Sequence, residues 1–153
     1  MRILIHSSSC LYPFYEGSTH RTFHIVQHLA KKHDLDLIQE RWPWESNRVP
    51  LSGNHQDMTW LNRHFQNVWD VWHKPGEALR YGMIWESPDL FQKLDEVLNR
   101  MPYDAIWAPG EAYPLYSYRK NADLPVLTGP TDSMHLQYRR TVSGVLRITP
   151  RSC

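Results

Sequence analysis

Cysteine is nearly absent from this chain. Its 153 residues hold only Cys10 and Cys153, at opposite ends. Neither belongs to a C-x-x-C pair, so a zinc site, a dithiol redox motif or a disulfide framework is not indicated. Long apolar runs are missing as well. No stretch approaches the roughly 18 apolar residues that a membrane-spanning helix needs. The opening Met1-Arg2-Ile3-Leu4-Ile5-His6 has only Ile3, Leu4 and Ile5 as an apolar run. A secretory signal takes roughly 7–15 apolar residues, so the expected location is the cytoplasm. Neither sign of charge dominates. Lys+Arg number 17 against 16 Asp+Glu, a formal net charge of +1. A nucleic-acid partner is therefore not expected, because such binding normally leaves a clustered basic footprint. Glycine signatures are lacking too. There is no G-x-x-x-x-G-K-[ST], no G-x-G-x-x-G after the first apolar run and no G-x-S-x-G. P-loop enzymes, ordinary dinucleotide enzymes and hydrolases built on a nucleophile elbow are disfavoured accordingly.

What remains is an ordinary globular composition, 41% hydrophobic and 22% charged, with a heavy aromatic load of seven Trp and eight Tyr. The length suits one compact domain. Residues 2–5 read as a short buried strand, followed by a breaker-rich loop from Ser7 to Gly17. Ser18-Thr19 is placed to cap a helix running to about His33, with Phe23, Val26, Leu29 and Ala30 at helical spacing. Asp34-Leu35-Asp36-Leu37-Ile38 alternates like a second strand. Strand, helix and strand in this order make a βαβ unit with parallel strands.

Residues 41–86 differ in character. The spacing of Trp60, Leu61, Phe65, Val68, Trp69 and Trp72 predicts a helix over about 57–73, and a short helical piece is expected after Pro75-Gly76. Regularity then returns. Ser87-Pro88-Asp89 is a strong helix start, Leu90, Phe91, Leu94, Val97, Leu98 and Met101 form its buried stripe, and Pro102 ends it. Strands are expected over 103–108 and 124–128, with helices over 111–120 and 133–142. The alternation predicts an α/β domain with a Rossmann-like, doubly wound, mainly parallel sheet.

Three constellations carry chemistry on this reading. In open α/β sheets, ligands bind beyond the carboxyl ends of the strands. Gly17 lies in the first such loop, where it either lets the backbone approach a ligand or only permits a turn. Arg21 adds positive charge to the first turn of the following helix, whose N-terminus attracts anions. His20, His24 and His28 recur every four residues, a spacing that suits zinc but more simply describes a solvated polar face, and no metal is expected. Glu111 and Asp132 follow the two later strands. Each suits a sugar hydroxyl or proton transfer, and each also suits helix capping. The Trp-rich stripe fits packing onto the domain, an acceptor groove or peripheral contact with a membrane surface.

The order of these features resembles the start of family 4-like glycosyltransferases of the GT-B fold. The resemblance is carried by Met1-Arg-Ile-Leu-Ile-His6, the Pro- and Gly-bearing loop, and Arg21-Thr-Phe-His-Ile-Val-Gln-His-Leu-Ala30 through Leu37-Ile38. It continues in Ser87-Pro-Asp-Leu-Phe91, Pro102-Tyr-Asp-Ala-Ile-Trp107 and Pro125-Val-Leu-Thr-Gly-Pro-Thr-Asp132-Ser133 with Tyr138-Arg139-Arg140. It implies an acceptor-side domain over 1–142, with a Trp-rich insertion about 41–86, an irregular tail over 143–153, and the C-terminal donor domain absent. The implied activity is transfer of a sugar from a nucleotide sugar to a glycan or other acceptor, in polysaccharide synthesis. The chain is expected to be inactive alone, unless a separate donor-domain polypeptide completes it. The implied cofactor set is empty, with the nucleotide sugar as substrate bound mainly by the missing half. Gly17, Arg21, Glu111 and Asp132 are the acceptor or cleft candidates. No catalytic residue is assigned, because the histidines that many relatives carry are replaced here at Trp107-Ala108-Pro109. A non-catalytic Rossmann-like interaction module is the alternative.

Overall fold

The computed structural model describes residues 1–12, 17–42, 55–74, 88–109 and 124–129. Strand β1 (Arg2–Ser7) is buried on both faces from Ile3 onward, as expected of a nearly continuous apolar strand in a parallel sheet. Helix α1 (Gly17–Leu29) follows. It stops short of the predicted His33, because the chain must turn back to the sheet. The His33 N–H donates to the Leu29 carbonyl at 3.0 Å, and the Asp34 N–H already donates to Met1 at 3.0 Å. Strand β2 (Asp34–Arg41) is longer than the predicted alternation, and it stays buried from Leu35 through Glu40.

The Trp-rich segment departs from the predicted single helix over 57–73. Helix α2 (His55–His64) ends early, and strand β3 (Asn67–Trp72) takes the rest. Apolar residues at 65, 68, 69 and 72 satisfy a helical template. Asn67-Val-Trp-Asp-Val-Trp72, however, is rich in β-branched and aromatic residues and pairs well on a pleated surface. The Gln66 N–H donates to Leu35 at 2.8 Å, which brings the chain onto the edge of β2. The segment is thus part of the sheet and its cover.

Helix α3 (Pro88–Arg100) begins at the predicted proline, with Asp89 in its first turn, and buries Leu90, Leu94 and Val97. Strands β4 (Ala105–Ala108) and β5 (Val126–Thr128) complete the sheet. The helices expected at 111–120, at 133–142 and after Pro75-Gly76 lie outside the described residues.

Among the described residues, all four strand pairings are parallel, in the order β3-β2-β1-β4-β5. The fold is therefore α/β and Rossmann-like. The chain leaves β1 toward β2 and β3 on one side, then returns to lay β4 and β5 on the other. That reversal makes a switch point between β1 and β4. Side chains alternate between two covered faces. Leu4, Ile38, Val71, Ile106 and Ala108 pack under α3, through Leu90, Leu94 and Val97. Ile3, Ile5, Leu35 and Leu37 pack against Val26 of α1 and against Leu61 and Phe65 of the α2 region. Among the described residues, no helix is long and apolar enough to cross a membrane.

Both ends of the sheet carry a buried polar group on β2. At the amino end, the fully buried Asp36 accepts from Arg2 Nε at 2.9 Å, Asn67 Nδ2 at 2.8 Å and Tyr103 Oη at 2.7 Å. Burial and the bond to Asp36 raise the Tyr103 hydroxyl above the ordinary tyrosine range. This group ties β1, β2, β3 and the approach to β4 at the amino end of the strands.

Candidate functional site

The carboxyl end of the sheet holds a different array. His6 ends the apolar run of β1, Glu40 lies near the end of β2, and His73 directly follows β3. All three are buried. His6 Nε2 lies 2.8 Å from Glu40 Oε1, and His73 Nε2 lies 2.6 Å from Glu40 Oε2. One carboxyl group therefore bridges two imidazoles across three adjacent strands. The alternation of β2 explains the placement. Asp36, Ile38 and Glu40 share the α3 face, whereas Leu35, Leu37 and Gln39 share the other.

Burial alone would push the Glu40 carboxyl upward. The hydrogen bonds from His6 and His73, together with electrostatic attraction to the two rings, outweigh it and hold the group down to about 2. Glu40 is thus a carboxylate across the neutral range and can only accept hydrogen bonds. Both imidazoles must then donate from Nε2. The ring of His73 is further held by Trp42, whose indole stacks on it with centroids 3.8 Å apart. The Trp42 Nε1–H donates to the Ser8 carbonyl at 3.0 Å, which ties the array to the loop leaving β1.

A second polar chain runs along the opposite face of the same end. The Leu11 N–H donates to Gln39 Oε1 at 3.1 Å, and Gln39 Nε2 donates to Asp70 Oδ1 at 2.7 Å. Arg41 Nε lies 3.3 Å from the same Asp70 oxygen. Arg41 Nη1 also donates to Cys10 Sγ at 2.6 Å, and the Cys10 thiol donates to the Tyr12 carbonyl at 2.7 Å. These contacts fix the first part of the β1–α1 loop against β2.

The residues singled out from sequence fall differently. Gly17 opens α1 and Arg21 stands exposed one turn later, outside the His6–Glu40–His73 array. Glu111 and Asp132 lie outside the described residues. His20, His24 and His28 are all exposed on α1, as a solvated polar face requires. Among the described residues, no group of three or more His, Cys, Asp or Glu converges in a way that could hold a metal ion. In the bridged array, each Nε2 faces a separate oxygen of Glu40 rather than a common point.

Sequence reading missed His6, Glu40 and His73. Their separations of 34 and 33 positions match no short motif. A signal exists once the full strands are known. His6 and Glu40 are ionisable residues on strands otherwise buried on both faces, and such groups are seldom buried without a partner.

No family model, no curated protein and no solved structure matches this chain.

Proposed function

We propose that this chain is the acceptor-side, Rossmann-like half of a two-domain glycosyltransferase working in the cytoplasm. In this role it presents a glycan or other hydroxyl-bearing acceptor to a nucleotide sugar held by a donor half. The observation that carries this reading is the carboxyl edge of the sheet. There a carboxylate bridges two imidazoles beside the β1/β4 switch point, where open α/β sheets receive ligands. The Glu40 carboxylate places a negative charge there, which favours neutral hydroxyl groups over phosphates. The sequence likewise lacks a glycine-rich phosphate loop. Both features suit an acceptor side better than a donor side. The resemblance of residues 1–38, 87–107 and 125–140 to family 4-like glycosyltransferases supports the same division of labour. Gly17 and Arg21, at the start of α1, are the cleft candidates on this reading, joined by Glu111 and Asp132 on the family resemblance.

A non-catalytic interaction module is the second reading, and Trp72 favours it. This side chain ends the edge strand β3 and is 51% exposed, with the Arg41 guanidinium 6.0 Å from its ring centroid. Calorimetric titration of the purified chain separates the cases. Binding of uncharged acceptor glycans without binding of nucleotide sugars is the expected result. Tight nucleotide-sugar binding would place a donor site in this domain and reverse the assignment. Stable self-association without binding of either class would favour the module.

A further inference from the structure

The imidazole of His6 has a second nitrogen, and its surroundings are unusual. His6 is 1% exposed, and its Nδ1 is buried with no hydrogen-bond partner. The two ring nitrogens of an imidazole point in divergent directions. With Nε2 committed to Glu40 on β2, Nδ1 is turned away from β2, the side of β1 on which β4 lies. There the register pairs Leu4 with Ile106 and Ile5 with Trp107. One step further along, His6 comes level with Ala108, a small apolar residue on the same face of the sheet. The neighbouring strand therefore offers no side-chain polar atom at that level.

The tautomer of the neutral ring follows from its other contact. Glu40 accepts from the Nε2 of both histidines, so a neutral His6 carries its proton on Nε2 and a lone pair on Nδ1. Buried polar atoms in folded proteins are nearly always paired, and an exception calls for a specific explanation. Rotation of the ring cannot supply one, because it would abandon a buried carboxylate. Metal ligation by the pair is disfavoured, since both Nε2 atoms face Glu40.

We infer that His6 Nδ1 is the hydrogen-bond acceptor for a neutral, hydroxyl-bearing ligand entering at the carboxyl edge between β1 and β4. The site is argued from the geometry of His6 and Glu40. The choice of a glycoside as its ligand rests on the acceptor-side reading. An anionic ligand is selected against twice over. It would bring acceptor oxygens to an acceptor nitrogen, and it would approach the buried charge of Glu40. Glu40 and His73 act as positioning residues, fixing the tautomer and the orientation of the His6 ring.

The test uses the full chain with 15N-labelled histidine. Wild-type protein is titrated with a panel of uncharged methyl glycosides, with the corresponding sugar phosphates, and with glycerol as a plain polyol. The expected result is an Nδ1 resonance of an unprotonated ring nitrogen that shifts as a glycoside binds. His6→Gln keeps an N–H toward Glu40 but has no atom at the Nδ1 position, and it should bind the glycoside about tenfold more weakly with little loss of stability. His6→Asn keeps a polar group near Nδ1 and loses the contact with Glu40. It should be the less stable variant yet the better binder of the two. A glycoside that binds without moving Nδ1, or binds His6→Gln as tightly as wild type, overturns the role of His6 and leaves the acceptor-side reading standing. Glycerol moving Nδ1 while every glycoside fails would keep the His6 site and remove its glycan. A protonated Nδ1 in the unliganded protein, no response to any of the three probes, or sugar phosphates bound more tightly than glycosides, would overturn the proposal without any variant having to fold.

Discussion

The indole of Trp42 lies almost flat on the imidazole of His73, with ring centroids 3.8 Å apart and planes inclined by 11°. Trp42 is 5% exposed and donates through Nε1 to the Ser8 carbonyl. The two functions of the side chain are separable. Trp42→Phe keeps an aromatic face over His73 and loses the hydrogen bond, so it should cost about 1 kcal/mol. Trp42→Ala removes the face as well and should cost about 3–5 kcal/mol. Urea denaturation of both variants measures the difference, and equal costs would show that the stacking adds nothing.

Glu40 is the shared partner of two buried rings, and neither oxygen can be replaced by an amide N–H without opposing a donor. Glu40→Gln should therefore lower stability by about 3 kcal/mol, within the range for breaking a buried charged network. Denaturant midpoints at neutral pH check this value.

The same carboxylate makes the fold acid-sensitive in a defined window. Its folded-state value is lowered from 4.5 to about 2. A group lowered on folding stabilises the protein above its unfolded value, and that contribution disappears as pH falls through the folded value. The expected loss runs from about pH 4.5 down to about pH 2 and amounts to roughly 3 kcal/mol. A pH series of urea midpoints should show it in the wild type, and Glu40→Gln should remove this component. An unchanged acid slope in the variant would assign the sensitivity to other carboxyl groups.

A core position under the sheet and an edge position on it should respond unequally to truncation. Leu94 is fully buried under the sheet, whereas Leu127 is 57% exposed on β5. Leu94→Ala should cost about 2–5 kcal/mol. Leu127→Ala should stay within about 0.5 kcal/mol of wild type. Thermal melts of the two variants give the comparison directly. A large cost at Leu127 would mean that β5 is covered by another part of the chain or by a second molecule.

Much of the fold was legible in the sequence, because local pattern and tertiary packing agree there. Ile3-Leu4-Ile5 has nowhere to go but a buried strand. Pro88 and Asp89 start α3 by local stereochemistry that packing does not override. The Trp-rich segment failed for an equally local reason. Phe65, Val68, Trp69 and Trp72 fit a helical period and a strand composition at once, and only pairing with β2 decides between them. The array at the carboxyl edge was not legible as a motif, since its members meet only when three strands align. His6 and Glu40 lie just past the strands read over 2–5 and 34–38, and their burial emerges only from the full length of β1 and β2. The candidates that were chosen, Gly17, Arg21, Glu111 and Asp132, came from loop positions and a family resemblance. They could not point to chemistry held inside the strands.

Asp36 and Glu40 lie on the same face of β2, one near each end, and each reaches neighbours on both sides. Together they act as a pair of rivets through the middle of the sheet. A slip of β2 by a single residue would send both carboxylates to the opposite face and leave five partners stranded: Arg2, Asn67, Tyr103, His6 and His73. Apolar packing alone would tolerate some misalignment, because leucine and isoleucine substitute for one another at modest cost. The two acids remove that tolerance. They let a short parallel sheet, whose strands are distant in sequence, settle into one alignment only.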